Sequence, residues 1–281
     1  MGYVERGADR MFGGRIRDLI ESSEYSMKIS RFLTPAEQAE AFDIARSEGA
    51  DGRCFFWGGA PGAERRCAVF LPEWMLLEDV PTGGAFDEGR EETFREIVES
   101  GADSGETGEQ IAAVRIEGSA YSEFSHRDYL GALTALGIER DSIGDVCPDS
   151  PSSAYVFALA SSSRLICSEL SSVGRERVTA TAAELPRDFR IEKEYEPISG
   201  TVMSARLDGV VRVLCNISRE AAAELVAHGD VTLNYFVEMK PDRTLERGDV
   251  ISVRGYGKFI YDGERGVNRR GRLRIDARKY V

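Results

Sequence analysis

The sequence has no long apolar stretch. A helix that crosses a membrane needs about 18 or more consecutive apolar residues, and no such run occurs. The first residues, Met1–Phe12, include Glu5, Arg6, Asp9 and Arg10 and lack the apolar segment of a signal peptide. These absences predict a cytoplasmic protein with no membrane partner.

Residues that build metal centres and disulfide frameworks are also scarce. The five cysteines are scattered, odd in number and never spaced C-x-x-C, which is typical of a protein in a reducing compartment. Neither of the two histidines, His126 and His228, stands at a zinc-ligand spacing from a cysteine. No Ser/His/Asp or Cys/His constellation is indicated. We therefore predict no metal site, no cofactor and no catalytic residues.

Basic residues are in the minority, but they are concentrated at one end of the chain. The formal net charge is −12, yet residues 195–281 hold 15 Lys and Arg against 12 Asp and Glu, while residues 1–194 hold 21 against 36. Residues 254–281 alone carry nine basic and three acidic residues. This asymmetry is typical of a binding surface for a polyanion. The alternative, an edge strand that its arginines protect from aggregation, needs fewer charges.

Two short helices and two strands are predicted between Ala205 and Val253. The apolar residues of the first helix recur at i, i+3, i+4 and i+7, at Leu207, Val210, Val211 and Leu214. Ser218 is a suitable N-cap for the second helix, which Gly229 and a capping His228 would end. Strands are expected near Val231–Asn234 and Asp249–Arg254. Asn234-Tyr235 fits a two-residue hairpin turn poorly, so another turn type is expected there.

The middle of the chain predicts a β-α-β-β-α-β order. Strands are expected at Ile111–Glu117, Ser142–Val146, Tyr155–Leu159 and Arg177–Thr181, with helices from Ser125 and over Ser161–Ser172. This is the ferredoxin-like pattern, which RNA-recognition modules share. Their aromatic stacking motif is absent, so we predict a scaffold rather than a base-stacking surface. His126, before Arg127, is interpreted as ordering a loop, with phosphate contact as the alternative.

The N-terminal part predicts a small α/β domain. A helix follows Thr34, which heads a capping box with Pro35 at the first helical position, and buried strands are expected at Cys54–Trp57 and Cys67–Leu71. The glycine-rich stretch between these strands lacks the Gly-Lys-Ser/Thr ending of a phosphate loop. We interpret it as a hairpin connection whose glycines adopt positive φ. Contact between phosphate and Arg65 or Arg66 is the alternative.

Together these patterns predict a three-domain α+β protein. The domains are an N-terminal α/β domain at 1–82, a ferredoxin-like middle domain at 111–190 and a C-terminal domain at 195–281. The acidic, glycine-rich stretch Gly83–Gln110 is predicted to be a linker or insertion, with a candidate helix at Glu91–Ser100.

The C-terminal elements resemble an S4 domain, a small RNA-binding module. The matching marks are Arg206-Leu207-Asp208, Ser218-Arg219, the Gly229/Val231/Asn234 run and Gly248-Asp249; Tyr235 stands where the module often has glycine. Upstream marks extend the resemblance to the YlmH family of bacterial S4-domain RNA-binding proteins. They are Ser30-Arg31-Phe32-Leu33-Thr34-Pro35, Phe56-x-Gly58-Gly59, His126-Arg127-Asp128-Tyr129-Leu130-Gly131 and Ile143-Gly144-Asp145. The acidic stretch Gly83–Gln110 is longer than expected for the family.

The resemblance implies a non-enzymatic protein that binds ribosomal RNA on the large ribosomal subunit, with a part in rescuing stalled ribosomes that carry peptidyl-tRNA. A monomer is expected. The expected RNA contacts are Arg206, Arg212, Ser218, Arg219, Lys240, Arg254, Lys258, Arg269, Arg270 and Arg272. Secondary candidates are Arg65, Arg66, His126 and Arg127. Because Arg206 and Arg219 lie outside the apolar spacing, alanine at either is expected to weaken binding without unfolding the protein.

Two other functions are compatible with parts of the sequence. Arg206-Leu207-Asp208 also resembles the catalytic Arg-Leu-Asp of some pseudouridine synthases, which would make the chain an RNA-modifying enzyme with an S4 targeting module. Those enzymes need a separate catalytic domain, whereas here the motif lies inside the S4-like segment. We therefore interpret Asp208 as a carboxylate that caps or pairs within its own helix. A protein–protein adaptor that uses the acidic N-terminal part is the third reading.

Overall fold

The chain forms two compact units in the computed structural model, which describes residues 2–75 and 111–281, with side chains from residue 11 onwards. The units are Met1–Ile191 and Glu192–Val281. The predicted acidic stretch Gly83–Gln110 and its candidate helix lie outside the described residues. None of the helices in the described ranges is long and apolar enough to cross a membrane.

The first unit begins with a helix and a small antiparallel sheet. The elements are α1 (Gly2–Ser22), β1 (Lys28–Leu33), α2 (Pro35–Ser47), β2 (Cys54–Trp57) and β3 (Arg66–Phe70), and the sheet order is β1-β3-β2. The predicted capping box is confirmed, because Thr34 accepts from the Glu37 amide and the Glu37 carboxylate accepts from the Thr34 amide. The apolar residues Met11, Ile16, Leu19 and Ile20 predict a helix over Asp9–Ser22, and α1 starts seven residues earlier than that, at Gly2.

The glycine-rich connection between β2 and β3 is a hairpin turn, as predicted. Gly59 and Gly62 have φ of +95° and +84°, which only glycine adopts without strain. A Cβ at Gly59 would lie 2.4 Å from the Phe157 ring, and one at Gly62 would lie 2.4 Å from the Ile191 carbonyl oxygen. The glycines therefore permit close packing as well as the turn.

The rest of the first unit has the predicted β-α-β-β-α-β order. Its elements are β4 (Ile111–Glu117), α3 (His126–Ala135), β5 (Ile143–Ser150), β6 (Ser153–Leu159), α4 (Ala160–Glu169), the ribbon β7 (Ser172–Val173) and β8 (Glu176–Arg177), and β9 (Thr179–Ala182). The main sheet runs β5-β6-β4-β9, and all its neighbouring strands are antiparallel. The predicted helix over Ser161–Ser172 is three residues too long, because Leu170 is already extended.

The two faces of this sheet have different neighbours. Val114, Ile116 and Val156 point to the side that α3 and α4 cover. On the other side, Phe157 is fully buried in a cluster with Phe32 of β1. A sheet that stacks nucleotide bases must keep that second face open. The burial of Phe157 therefore supports the predicted scaffold role.

The second unit is two helices on one face of a six-stranded antiparallel sheet. The elements are β10 (Tyr195–Val202), α5 (Leu207–Cys215), α6 (Arg219–Ala227), β11 (Val231–Leu233), β12 (Phe236–Val237), β13 (Val250–Val253), β14 (Gly257–Val267) and β15 (Leu273–Tyr280), and the sheet order is β10-β15-β14-β13-β11-β12. Both predicted helices and both predicted strands are confirmed. The four apolar residues that predicted α5 are buried in the core of this unit.

The turn between β11 and β12 differs from the prediction. Asn234 and Tyr235 have φ of +49° and +72°, and Leu233 pairs with Phe236, so the loop has two residues with the positive φ values of a type I′ turn. The Asn234 side chain explains why the turn forms without glycine. Its amide donates to Asp249 at 2.8 Å and its oxygen accepts from the Val250 amide at 3.0 Å, which fixes the left-handed backbone from outside the hairpin.

Candidate nucleic-acid interface

Asp208 lies between two arginines at the start of α5. Its Oδ2 accepts from Arg219 Nε at 2.9 Å, and its Oδ1 accepts from the Gly209 amide at 2.8 Å and lies 3.6 Å from Arg206 Nε. The carboxylate is only 7% exposed, whereas the Arg206 and Arg219 side chains are 41% and 54% exposed. The sequence predicted that Asp208 caps or pairs within its own helix. The contacts with Gly209 and Arg206 agree with this, but the shorter ion pair joins Asp208 to Arg219 of α6.

The first amides of α5 already donate hydrogen bonds to backbone carbonyls. The Leu207 amide donates to the Arg243 carbonyl at 2.8 Å, and the Asp208 amide donates to the Pro241 carbonyl at 2.9 Å. The first amides of a helix are an anion-binding site only when they lack partners. Any anion bound here must therefore be held by side chains.

A small cavity of about 50 Å³ lies beside this pair and is lined by arginines. Arg212 and Arg219 come from the two helices, and Arg272 comes from the β14–β15 hairpin. The other lining residues are Thr201, Val202, Met203, Ser204 and Gly209, so none of the described residues around the cavity is acidic. The volume has room for only a few water molecules. It suits a phosphate-sized group rather than a whole nucleotide.

Hydrogen bonds hold the guanidinium groups of two of the three arginines of the cavity, and the backbone of the third. Arg212 donates to the Thr201 carbonyl at 2.9 Å, and Arg219 is held by Asp208. Arg272 lies in a loop that Asn268 organises, because the Asn268 side-chain oxygen accepts from the Arg270 and Arg272 amides at 2.9 and 3.0 Å. A fixed guanidinium loses little conformational entropy when it grips an anion. Sequence reasoning missed the non-basic lining residues, which no local pattern identifies.

The other predicted residues of this unit lie away from the cavity lining. Ser218 caps α6 by accepting from the Ala221 amide at 3.1 Å, and the Lys240 amide donates to Glu238. Arg254, with its side chain 86% exposed, lies 3.4 Å from Asp230. Arg269 and Arg270 are exposed in the same loop as Arg272, and Lys258 lies among tyrosines on the sheet. The structure thus brings together Arg212, Arg219 and Arg272 from the predicted set.

The secondary candidates in the first unit have different surroundings. Arg65 donates to the carbonyls of Ile143 and Phe32 at 3.3 and 3.2 Å, and Arg66 Nε donates to the Ala63 carbonyl at 2.6 Å. These guanidinium groups have an internal role, so RNA contact stays a prediction for them. His126 and Arg127 are exposed in the first turn of α3.

The loop before α3 is fixed by residues other than His126. Ser125 and Asp128 form a reciprocal capping box, in which the Ser125 amide donates to the Asp128 carboxylate at 2.8 Å. The serine hydrogen bonds hold the pKa of Asp128 below its usual value. At the other predicted histidine, His228 caps α6, and its Nδ1 lies 2.8 Å from the Glu224 carbonyl oxygen. The capping prediction for His228 is confirmed.

The described residues contain no cluster of three or more His, Cys, Asp or Glu side chains that could hold a metal. None of the five cysteines forms a disulfide. Burial raises the pKa of the Cys54 and Cys67 thiols well above the usual value, and it raises the pKa of Cys215 to about 11 against a smaller opposing effect of Lys279. A thiol with a raised pKa is a poor nucleophile at neutral pH.

Comparisons with known proteins find one match to part of the first unit and one to most of the chain. Residues 109–187 match the family model described as the putative RNA-binding domain in YlmH. This stretch covers the sheet with strands β4, β5, β6 and β9, for which the sequence predicted a scaffold role, and not the arginine-lined cavity. The chain is also 26% identical over 258 residues to "Ribosome-associated protein quality control protein P2" of Bacillus subtilis (strain 168), covering 91% of this chain and 88% of that protein.

A solved structure, "Cell division protein ylmH from Streptococcus pneumoniae", matches with a TM-score of 0.45 and 19% identity. It covers 63% of this chain and 92% of that one. The family model and the curated relative match different lengths of the chain, and both fit the motifs found along it. The chain is therefore similar to YlmH proteins in its putative RNA-binding domain at residues 109–187, and to a ribosome-associated quality control protein over most of its length.

Proposed function

We propose that this protein is a non-enzymatic, ribosome-associated RNA-binding protein of the large subunit that acts in the rescue of stalled ribosomes. The names of the matching relative and of the matching family support ribosome association and RNA binding. The two helices and the sheet of the second unit support an S4 domain. The observation that carries the proposal is the convergence of Arg212, Arg219 and Arg272 on one small cavity.

The proposed mode of binding follows from the chemistry of the cavity. A guanidinium donates two parallel hydrogen bonds, which suits a phosphate group. The bases of A-form RNA are hidden in a deep groove, so structured RNA is recognised by its shape and phosphates. A phosphate seated between α5, α6 and the β14–β15 hairpin would fix the register of the protein on folded ribosomal RNA or on tRNA. Arg206, Arg269 and Arg270 would extend the contact along the backbone.

The test is a salt titration of binding to purified large ribosomal subunits. Arg212→Ala and Arg272→Ala should each weaken binding and should each flatten the slope of log affinity against log salt by about 0.7–0.9. Lysine at either position should restore the slope but only part of the affinity, because a point charge replaces a fork of donors. The control is Arg46→Ala, since Arg46 is 61% exposed on α2 and pairs with Asp43.

One outcome of this titration would show that the cavity does not bind phosphate. If Arg212→Ala and Arg272→Ala both keep the affinity and the salt slope of the unaltered protein, the cavity is not the phosphate site. The exposed arginines of the hairpin loop, Arg269 and Arg270, would then be the remaining candidates on that side. Loss of binding in the Arg46→Ala control would instead place the first unit in the interface.

The alternative reading, a pseudouridine synthase-like enzyme, needs a carboxylate that can reach a base. Asp208 is 7% exposed, and both its oxygens accept hydrogen bonds from the protein. This geometry disfavours the alternative. Nucleoside mass spectrometry of ribosomal RNA from cells with and without the protein should show no difference. A modified nucleoside that disappears on deletion would establish the enzyme class instead.

A further inference from the structure

The arginine-lined cavity has other lining residues, and these differ in exposure. Val202 and Gly209 are buried, so they form its floor. Ser204 is half-buried and Met203 is 64% exposed, so they belong to its rim. The arginines supply the charge of the cavity, whereas the floor and the rim determine which part of a ligand fits beside that charge.

The packing of the protein does not require a glycine at position 209. A Cβ there would lie 3.5 Å from the Ser204 carbonyl oxygen and 3.8 and 3.9 Å from side-chain atoms of Val202, which are ordinary van der Waals distances. Gly209 lies in α5, and glycine stabilises a helix less than alanine does. The atoms around such a Cβ belong to residues that line the cavity, so an alanine methyl group would occupy space beside the arginines. Gly209 therefore leaves room in the cavity at the expense of helix stability.

Ser204 presents a hydroxyl group at the rim. Within the part of the chain that the structure describes, this hydroxyl forms no hydrogen bond with another residue. A serine hydroxyl both donates and accepts hydrogen bonds, and it carries no charge. It can therefore bind a neutral polar group of a ligand whose charged part lies among the arginines.

We propose that the cavity holds one phosphate of RNA against the α5 backbone at Gly209, while the neighbouring 2′-hydroxyl forms a hydrogen bond with Ser204. The inference rests on the proposed RNA-binding function and names the part of the RNA that this site recognises. A ribose carries its 2′-hydroxyl next to its own 3′-phosphate, so a phosphate among the arginines brings a 2′-hydroxyl to the rim. The 2′-hydroxyl is the group by which a protein distinguishes RNA from DNA. Ser204 is thus a contact that selects RNA.

The two kinds of contact have separate effects on binding. Each arginine that pairs with a phosphate releases counterions from the nucleic acid, so the arginines determine how steeply affinity falls with salt. Ser204 is neutral, so its hydrogen bond adds affinity for a 2′-hydroxyl without changing the salt dependence. A measurement of both quantities therefore separates Ser204 from the arginines.

The test measures binding of the full chain to a short RNA hairpin and to the same hairpin with fluorine in place of every 2′-hydroxyl. Fluorine keeps the A-form geometry of the duplex but does not donate a hydrogen bond. The unaltered protein should bind the RNA hairpin about 2- to 10-fold more tightly than the fluorinated hairpin. Ser204→Ala should lose this preference without a change in the slope of log affinity against log salt. Ser204→Thr, which keeps the hydroxyl, should keep the preference.

Gly209→Ala tests the space in the cavity. This variant should weaken binding to both hairpins and flatten the salt slope by about 0.7–0.9, because the phosphate no longer enters. Its melting temperature should equal or exceed that of the unaltered protein, since alanine favours a helix. A purely structural role for Gly209 would instead lower the melting temperature.

Two matched variants serve as controls. Gly131→Ala changes a helical glycine of the first unit whose Cβ position has no neighbouring atom of the described residues within 4 Å. Ser252→Ala changes a half-buried serine of the second unit. Its strand neighbours Ile251 and Val253 point into the core, so Ser252 lies on the sheet face away from α5 and α6. Both controls should bind the two hairpins as the unaltered protein does.

The inference and the proposed function fail in different ways. If Arg212→Ala and Arg272→Ala bind both hairpins normally, the cavity is not the phosphate site and both proposals about it are wrong. If these two variants bind weakly but the unaltered protein does not distinguish the hairpins, only the inference is overturned.

Three further results would also overturn the inference. They are a folded Ser204→Ala variant that keeps the full preference for RNA, a folded Gly209→Ala variant with unchanged affinity and salt slope, and an unaltered protein that binds neither hairpin. The comparison of the two hairpins needs no altered protein, so it judges the inference even if a variant does not fold.

Discussion

Arg219 donates from its Nε to Asp208 Oδ2 at 2.9 Å, although the two residues belong to different helices. The contact joins the start of α6 to the first turn of α5. It also compensates a carboxylate that is 7% exposed. Arg219 therefore has two roles in the proposed site, since it lines the cavity and it stabilises the helix pair that forms the cavity.

The first prediction concerns stability at this pair. Arg219→Ala should lower the free energy of unfolding of the second unit by about 1–2 kcal/mol, because Asp208 keeps only Arg206 as a charged partner. The estimate is well below the cost for a fully buried pair, since Arg219 is 54% exposed. Arg219→Lys should lose less, because it keeps the charge. Urea unfolding measures both variants.

The matched control is the double variant Arg219→Ala with Asp208→Asn. If the loss comes from an uncompensated carboxylate, removing that charge should recover part of it. An Arg219→Ala variant as stable as the unaltered protein would contradict this account. In that case the expectation from the sequence would be correct, namely that Arg219→Ala weakens RNA binding without changing stability.

The second prediction concerns the close packing between β1 and β5. A Cβ at Gly144 would lie 2.5 Å from Phe32 Cε1, and Phe32 is 1% exposed. Gly144→Ala should therefore destabilise the first unit by about 1–3 kcal/mol. Gly131→Ala is the control, because it lies within α3 with no neighbouring atom within 4 Å and should stabilise by about 0.5–1 kcal/mol. Equal stability of the two variants in urea would refute the packing argument.

The third prediction concerns alkaline pH. Burial raises the pKa of Tyr129 to about 12, whereas an unfolded tyrosine titrates near 10. The folded protein therefore keeps a proton that the unfolded chain loses. The stabilisation that this proton gives is complete below pH 10 and is lost as the pH rises from about 10 to 12. Tyr129→Phe should show a smaller loss of stability over that range.

The Tyr129 hydroxyl is also buried with no hydrogen-bond partner among the described residues. At neutral pH, Tyr129→Phe should then be as stable as the unaltered protein or more stable by about 1 kcal/mol. Tyr121→Phe is the control, because Tyr121 is 97% exposed and should change neither the stability nor its pH dependence. Identical alkaline unfolding profiles for the Tyr129→Phe variant and the unaltered protein would disprove the argument.

The fourth prediction concerns the independence of the second unit. Its core is formed by its own residues, from Val202 to Ala277. A fragment spanning Glu192–Val281 should fold cooperatively and keep most of the affinity for large subunits. Calorimetry and subunit sedimentation test this together. A fragment that folds but does not sediment with the subunits would move the main interface to the first unit, which contains the residues that match the putative RNA-binding domain.

Sequence reasoning predicted the elements whose signals are local. The spacing of Leu207, Val210, Val211 and Leu214 marks α5 because a buried helix face repeats with the helix period. The prediction for the Asn234-Tyr235 turn was wrong, because the conformation of this turn depends on hydrogen bonds between the Asn234 side chain and residues of β13 and the loop before it. A dipeptide preference contains no information about such a partner.

For the candidate site too, the sequence shows the local features and not the contacts between distant residues. The excess of arginine near the C-terminus is visible in the sequence, and it identifies the second unit as basic. The sequence does not show that Arg272 joins Arg212 and Arg219 while Arg254 lies beside Asp230. That grouping depends on the register of β14 and β15, which places a distant hairpin loop beside two helices.

The burial of Phe157 has a consequence for how the first unit can be divided. Phe157 belongs to the stretch that matches the family model, but it packs on Phe32 from the N-terminal sheet. We therefore expect residues 109–187 to be a unit of sequence similarity that does not fold cooperatively by itself. Expressed alone, they would leave an apolar sheet face in water and should aggregate. In the folded protein, the N-terminal sheet keeps this apolar face away from water.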